Sequence, residues 1–207
     1  TPGMTASGTA GYGAELARYV DLGALGAVVV KSLAAFSWPG NPAPRLHPTP
    51  VGMLNAVGLQ GPGVAAWLRD DLPQLLATGA RFFPDPKLPD IPTPAARAAV
   101  EASRLGVGFF TIHLSGGAMM ARRVADEVEA HCEIYHATRP RILGVTVLTS
   151  LDRGALQREL GVASSVEGHV LHLCGLAREA GLDGNVASPN EIAAIRRKEG
   201  AEAARVI

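Results

Sequence analysis

The chain has 207 residues, of which 47% are hydrophobic and 18% are charged, and its formal net charge at pH 7 is zero. This balance predicts a folded domain with a sizeable core and argues against disorder. The sequence has no basic stripe and no apolar run of 18 residues, so we expect neither nucleic acid nor a membrane as a partner. Cys132 and Cys174 do not form a CxxC pair, which favours reduced thiols in a cytoplasmic protein.

Short apolar segments alternate with helical segments along the chain. We expect strands at 26–31, 81–83, 106–113, 141–148 and 182–187, with a last strand beginning at 203–207. We expect helices at 62–77, 94–105, 117–132, 163–180 and 189–199. This alternation predicts an α/β fold with a parallel sheet, either a barrel or a doubly wound sheet.

Polar residues at the predicted strand ends favour the barrel, because a barrel gathers its site from several strand ends. They are Lys31, Asp85, Lys87, His113 and Thr149. About six strands can be counted, so we predict an incomplete (β/α) barrel of the TIM type. The chain starts at Thr1 and ends within a predicted strand, and we therefore expect a fragment, either dimeric or prone to aggregation through open sheet edges.

Residues 33–61 interrupt this alternation. They contain five prolines, yet the stretch 52–60 is too apolar for a disordered linker. A long loop inside a compact domain is usually functional, so we expect this one to fold over a ligand. The alternative is a loop that only packs on the barrel.

The segment from Asp85 to Asp90 holds two acids and one lysine. If 81–83 is a strand that continues in the same direction, Asp85 and Lys87 project to the same side, and Asp90 follows in the loop. Alternating charges at the carboxyl end of a strand suit a pocket for a small charged substrate. The alternative is a solvated, proline-stiffened surface loop.

The first part of the chain resembles a known family. Residues 5–8, 25–32, 40–45 and 49–63 are similar to the amino-terminal part of class 1 dihydroorotate dehydrogenase, of the B subtype. The resemblance implies FMN contacts from Ser7, Lys31 and Ser32. It also implies that the orotate ring is held by Lys31 and by Asn55, Ala56, Val57, Gly58 and Leu59. The catalytic residue of that family and its later phosphate-binding loops lie beyond the similar part.

The second part resembles a different family of the same pathway. The motif Asp85-x-Lys87-x-x-Asp90-Ile91-Pro92 and the segments 107–117, 144–150 and 180–188 resemble orotidine 5′-phosphate decarboxylase. The resemblance implies decarboxylation to UMP without metal or cofactor. Lys87 would be the proton donor, with Asp85 and Asp90 as the flanking catalytic acids. Ile91 and Thr149 would contact the substrate. In that family the second acid acts in the partner subunit, so Asp90 implies a homodimer.

These resemblances divide the chain into a dehydrogenase-like segment at 1–80 and a decarboxylase-like segment at 81–207. Decarboxylation in pyrimidine biosynthesis is the function we predict. One alternative is a dehydrogenase fragment that binds FMN or orotate. The other is an inactive chimera, because Pro86, Pro89 and Pro94 replace residues that the decarboxylase family usually has near its motif.

Overall fold

The computed structural model describes residues 3–200 and divides the chain into two compact units, Thr1–Phe83 and Pro84–Ile207. The domain boundary predicted between residues 80 and 81 stays a prediction. Within the described residues there are six α-helices: α1 (Val64–Ala77), α2 (Pro92–Arg104), α3 (Gly117–Tyr135), α4 (Arg153–Arg158), α5 (Val166–Glu179) and α6 (Ile192–Glu199). Among residues 3–200, no helix is both long enough and apolar enough to cross a membrane.

The first unit contains an antiparallel hairpin where the sequence predicted an irregular loop. Its strands are β1 (Leu46–Thr49) and β2 (Gly52–Asn55), joined by a two-residue turn. Pro48 lacks an N–H group but is tolerated because both strands of an isolated hairpin have an open edge. The prediction of an irregular loop was therefore wrong for 46–55, while its folding over a ligand remains untested.

The predicted strands 26–31 and 81–83 appear only as isolated parallel bridges. Ala27 pairs with Met4, and Val28 pairs with Phe82. The ladder does not continue because the following N–H group, that of Val29, donates to the side-chain hydroxyl of Thr5 at 2.9 Å. Loop groups thus satisfy the backbone where a neighbouring strand would have done so. Trp67 of α1 packs on Phe82 and buries this part of the unit.

The second unit is built on a parallel sheet. Its strands are β3 (Phe109–His113), β4 (Arg141–Val145) and β5 (Gly184–Val186), in the order β3-β4-β5. Leu88 adds a parallel bridge to Ile112 of β3. The expected α/β fold with parallel strands is confirmed. The incomplete barrel of about six strands stays a prediction, and the strand expected at 203–207 lies outside the described residues.

The core of the second unit explains why its strands are near-continuous apolar runs. Phe110, Ile112 and Ile142 are fully buried, as are Met120 and Val124 of α3. A parallel strand covered on both faces needs apolar residues at every position. At about 25 cal/mol per Å² of buried apolar surface, burial of each large side chain contributes on the order of 2 kcal/mol to the stability of the fold.

Element boundaries differ from the predicted ones for local reasons. The strand expected at 106–113 begins at Phe109 because Gly106 has φ +69°, a turn conformation that ends α2. The strand expected at 141–148 stops at Val145, and Leu148 begins a turn closed by a hydrogen bond from Leu151 N–H. Helix α4 was not predicted, although Asp152 caps it with a hydrogen bond from Ala155 N–H at 2.7 Å.

Candidate active site at the carboxyl end of β3

Three polar side chains meet beside the carboxyl-terminal half of β3. The ammonium group of Lys87 forms an ion pair with Oδ2 of Asp85. The hydroxyl group of Thr111 donates a hydrogen bond to Oδ1 of the same carboxylate at 2.6 Å. The backbone N–H of Lys87 donates to that hydroxyl oxygen at 3.0 Å. The predicted pairing of Asp85 with Lys87 is therefore present in the geometry, and Thr111 joins it.

The cluster combines a buried anchor with two half-exposed charges. Thr111 is 1% exposed, whereas the side chains of Lys87 and Asp85 are 43% and 39% exposed. Two charges at this exposure keep part of their hydration, so the pair avoids the large desolvation cost of a buried ion pair. The arrangement leaves the ammonium group accessible to a ligand while the backbone below it is fixed.

The backbone of Lys87 has an unusual conformation. Its φ angle is +44°, in the left-handed region that residues other than glycine seldom adopt. The following residue, Leu88, returns to sheet pairing. Its N–H donates to Thr111 O at 3.4 Å, and its carbonyl accepts from His113 N–H at 3.0 Å. Strained backbone of this kind persists only where the surroundings hold it, and it is concentrated at functional sites.

His113 ends β3 next to this cluster. Its Nδ1 atom accepts a hydrogen bond from Ser115 N–H at 3.3 Å and lies 2.8 Å from Ser115 Oγ. An acceptor Nδ1 leaves the proton of the neutral ring on Nε2. Burial lowers the pKa of His113, and the positive charge of Lys87 lowers it further. The imidazole is therefore neutral at neutral pH, which agrees with its role as an acceptor.

Asp90 and Ile91 lie at the start of α2. Asp90 is exposed, and its Oδ1 accepts a hydrogen bond from Ile91 N–H at 2.7 Å. Within residues 3–200, neither residue is hydrogen-bonded to Asp85, Lys87 or Thr111. Pro94 is the third residue of α2, where a helix has no intrahelical acceptor for the N–H, so this proline costs the helix no hydrogen bond.

Thr149 does not lie at a strand end. It is exposed in the turn after β4, four residues beyond Val145. The buried threonine at the end of β4 is Thr146, whose hydroxyl donates to Val186 O at 2.8 Å. Thr149 makes no hydrogen bond to the cluster among the residues described, and its contact with substrate stays a prediction.

The first unit brings together part of the predicted cofactor site. A Cβ atom at Gly8, which follows Ser7, would lie 3.9 Å from Cγ of Lys31, so the loop of Ser7 approaches the Lys31 side chain. The Lys31 N–H donates to Gly11 O at 3.0 Å, and its ammonium group lies 5.6 Å from the centre of the Tyr12 ring. The adjacent Ser32 is exposed.

Within residues 3–200, the predicted orotate-binding residues 55–59 are hydrogen-bonded to residues 38–45 and not to the predicted cofactor-binding residues. Asn55 ends β2, and Ala56 N–H donates to Arg45 O at 2.8 Å. The carbonyl of Val57 accepts from Asn41 N–H at 3.0 Å, and that of Gly58 accepts from Trp38 Nε1 at 2.8 Å. The next residue, Leu59, is exposed, with φ +54°. In the described part of the chain, residues 55–59 make no hydrogen bond to Ser7, Lys31 or Ser32.

Thr111 is the site residue that sequence reasoning missed. Inside an otherwise apolar strand it read as one more buried position. A signal was available, because a threonine two residues before His113 projects to the same side of the strand as that polar strand end. That spacing places its hydroxyl on the side where the other polar groups gather.

Comparison with known proteins finds similarity to two families, each in a different part of the chain. Residues 71–207 match the sequence model of the orotidine 5′-phosphate decarboxylase / HUMPS family, and residues 1–82 match that of dihydroorotate dehydrogenase. A dihydroorotate dehydrogenase B (NAD⁺) catalytic subunit of Desulforudis audaxviator is 56% identical over 81 residues, which are 39% of this chain and 25% of that protein.

The decarboxylase-like part has similar proteins in both sequence and structure. Orotidine 5′-phosphate decarboxylase of Moorella thermoacetica is 48% identical over 60% of this chain and 49% of its own length. That of Syntrophotalea carbinolica is 43% identical over 70% and 57%, respectively. A solved orotidine 5′-phosphate decarboxylase of Lactobacillus acidophilus superposes with a TM-score of 0.59 at 30% identity, over 63% of this chain and 58% of that one.

The chain spans about half the length of the decarboxylases that it matches, and about a quarter of the dehydrogenase. The predicted resemblance to both families is confirmed. The decarboxylase match covers about two thirds of the sequence and includes the Asp85–Lys87–Thr111 cluster. The chain therefore belongs to the orotidine 5′-phosphate decarboxylase / HUMPS family, with a dihydroorotate dehydrogenase-like segment at its amino-terminal end.

Proposed function

We propose that the second unit decarboxylates orotidine 5′-phosphate to UMP, with Lys87 as the proton donor and no cofactor. The observation that carries the proposal is the Lys87 ammonium group paired with Asp85 beside the carboxyl-terminal half of the parallel strand β3. Family membership and the decarboxylase relatives support the reaction class. They also support a place for the activity in pyrimidine biosynthesis.

The reaction needs one charged donor and a site that disfavours the substrate carboxylate. The bond between the pyrimidine ring and the carboxylate carbon breaks, CO2 leaves, and the bonding electron pair stays on the ring carbon. Lys87 then protonates that carbon as a general acid. Asp85, placed beside the departing carboxylate, repels it in the ground state and balances the lysine charge as the carboxylate is lost.

Asp90, Ile91 and Thr149 complete the proposed site. Asp90 is exposed and turned to its own backbone in the single chain, which suits a carboxylate that acts in the site of a partner subunit. The active form is then a homodimer. Ile91 at the start of α2 and Thr149 after β4 contact the substrate in this proposal, and the protein works in the cytoplasm.

Loss of the orotidine absorbance on conversion to UMP tests the activity directly. The unmodified chain and Lys198→Ala should turn over, while Lys87→Ala should not. Lys198 is the matched control because it is a lysine on an exposed helix face, with its ammonium group donating to Leu171 O at 3.3 Å. Equal turnover by Lys87→Ala would assign the chemistry to another residue.

A second candidate function is ligand binding by the dehydrogenase-like unit. The approach of the Ser7 loop to the Lys31 side chain fits a group contacted from both segments, so Ser7, Lys31 and Ser32 are the residues that would hold FMN. When bound, FMN supplies the electron-accepting chemistry of a dehydrogenase. Lys31 and residues 55–59 would hold orotate. Affinity should be weak, because this segment matches only a quarter of the dehydrogenase relative.

Quenching of FMN fluorescence separates the two candidates. Binding that weakens in Lys31→Ala, without turnover of orotidine 5′-phosphate, would favour the dehydrogenase-like function. Turnover without FMN binding favours the decarboxylase. If neither FMN binding nor turnover is observed, the inactive chimera is the remaining explanation.

A further inference from the structure

We propose that Thr111 is the positioning residue of the site: its buried hydroxyl group holds the Asp85 carboxylate and the Lys87 backbone in their working arrangement. The proposal rests on the decarboxylase function for its catalytic consequence, but the arrangement itself is testable without turnover. Three observations support it, namely the hydrogen bonds of the hydroxyl, its burial and the conformation of Lys87.

The Thr111 hydroxyl uses its donor and an acceptor position on the two partners that define the site. Its proton goes to Oδ1 of Asp85 at 2.6 Å, and its oxygen accepts from Lys87 N–H at 3.0 Å. A hydroxyl has a single proton, so the second bond fixes the direction of the first. The orientation of the carboxylate thus depends on where the Lys87 backbone sits.

The two oxygens of Asp85 are held from different sides. Oδ1 accepts from Thr111, and Oδ2 faces the ammonium group of Lys87. Rotation of the carboxylate about its last bond would break both contacts. The ion pair is half exposed and contributes little, so the buried threonine is the main contact that orients the carboxylate.

Thr111 itself cannot easily move. It is 1% exposed, it lies within β3 opposite Leu143 of β4, and its branched side chain has restricted rotation about χ1. Its carbonyl also accepts from Leu88 N–H. Thr111 therefore binds the backbone on both sides of the Lys87 side chain. Its hydroxyl group accepts from Lys87 N–H, and its carbonyl group accepts from Leu88 N–H.

This double hold accounts for the left-handed backbone of Lys87. A lysine gains nothing intrinsic from φ +44°, a conformation that residues other than glycine adopt only where the surroundings hold them in it. Removing the hydroxyl should let Lys87 relax to an ordinary conformation, which would move its ammonium group. His113, whose pKa is lowered by burial and by the charge of Lys87, is a built-in reporter of that movement.

The test compares Thr111→Val, which keeps the shape of the side chain, with Thr111→Ser, which keeps the hydroxyl. Thr146→Val is the matched control. Thr146 is also a buried strand-end threonine, but its hydroxyl donates to a backbone carbonyl of β5. The measurements are the His113 titration by NMR, amide exchange at Lys87, and turnover with kcat and KM separated.

We expect Thr111→Val to raise the His113 pKa towards its value in Lys87→Met and to speed Lys87 amide exchange about tenfold. It should lower kcat about 100-fold with a smaller change in KM, because misplaced groups lose transition-state contacts. Thr111→Ser and Thr146→Val should leave the His113 pKa and the Lys87 amide as they are. Unchanged His113 and Lys87 signals in a folded Thr111→Val would overturn the proposal.

Two further outcomes are also decisive. If Thr111→Val does not fold, the Lys87 amide of the unmodified protein decides, since an amide bonded to a buried hydroxyl must be protected from exchange. Unprotected exchange there would overturn the proposal. If the unmodified chain shows no turnover, the proposed function fails, but the two NMR measurements still judge the role of Thr111.

Discussion

The ammonium group of Lys87 faces the carboxylate of Asp85, and neither charge is buried. Double-mutant cycles on exposed pairs of this kind give about 0–1 kcal/mol, because water screens the charges and two flexible side chains must be ordered. Lys87→Ala should therefore lower the free energy of unfolding by less than about 1 kcal/mol. The same variant should abolish turnover, because it removes the proposed proton donor. Urea denaturation followed by circular dichroism measures the free energy of unfolding.

A large loss of stability in the same experiment would contradict this prediction. A loss of several kcal/mol in Lys87→Ala would mean that the pair is a structural element, and the absence of turnover would then say nothing about chemistry. Arg104→Ala is the control, because it breaks the exposed Arg104–Glu101 pair on α2 and should have an equally small effect on stability.

The titration of His113 should depend on Lys87. The pKa of His113 is lowered first by burial and second by the positive charge of Lys87. Lys87→Met removes the charge and keeps much of the side chain, so the pKa should rise but stay below the ordinary value because burial remains. NMR of the imidazole protons against pH measures it, with Lys198→Met as the control. An unchanged His113 pKa in Lys87→Met would show that the charge of Lys87 does not act on the imidazole.

The sign of the stability effect follows from that shift. The unfolded chain binds a proton at His113 more readily than the folded protein does, so folding loses stability as the pH falls below about 6.5. The loss is complete only below the lowered pKa of the folded state. His113→Gln should flatten this part of the stability profile. His169, whose pKa is also lowered by burial, contributes a second step of the same sign.

The sequence predicted a strand correctly where neighbouring strands accept the hydrogen bonds of its backbone, and failed where side chains or loops accept them. The strand around Phe110 was predictable because burial on both faces requires an apolar run. The segment around Val28 is equally apolar, but its ladder ends where Val29 N–H turns to the Thr5 hydroxyl, a contact 24 residues away that no local pattern reveals. The hairpin at 46–55 was missed because Pro48 and Pro50 argued against strands.

The candidate site was predictable to a similar extent. Asp85 and Lys87 could be paired from their spacing, because residues two apart in an extended segment share a side. The pairing is present although Lys87 itself is left-handed and not extended. The spacing of Thr111 from His113 indicated its side of the strand but not its partner, since Asp85 lies 26 residues away and the strand register is a tertiary property. The left-handed conformation of Lys87 was also out of reach, because sequence suggests such conformations for glycine or asparagine and not for lysine.

A homodimer with shared sites makes a prediction about mixed subunits. If Asp90 acts in the partner's site, Lys87→Ala and Asp90→Asn each inactivate homodimers, but a mixed dimer has one site with both residues intact. Mixing and refolding the two inactive variants should restore up to about a quarter of the unmodified activity, because half of the dimers are mixed and each has one working site. No recovery, despite dimers seen by light scattering, would place Asp90 in its own subunit's site or outside catalysis.

Two glycines of the second unit should respond oppositely to alanine. A Cβ atom at Gly144 of β4 would lie 2.8 Å from Cδ1 and 2.9 Å from Cγ of Leu114, which is fully buried and has little room to shift. Gly144→Ala should therefore lower the free energy of unfolding by about 1–3 kcal/mol. Gly175 lies inside α5, where a Cβ atom would meet no heavy atom within 4 Å apart from its chain neighbours and the backbone of the helix itself. Gly175→Ala should raise it by about 0.5–1 kcal/mol, because alanine loses less backbone entropy in a helix. Chemical denaturation of both variants measures the difference, and a destabilised Gly175→Ala or a neutral Gly144→Ala would show that the sheet and helix pack differently at these positions.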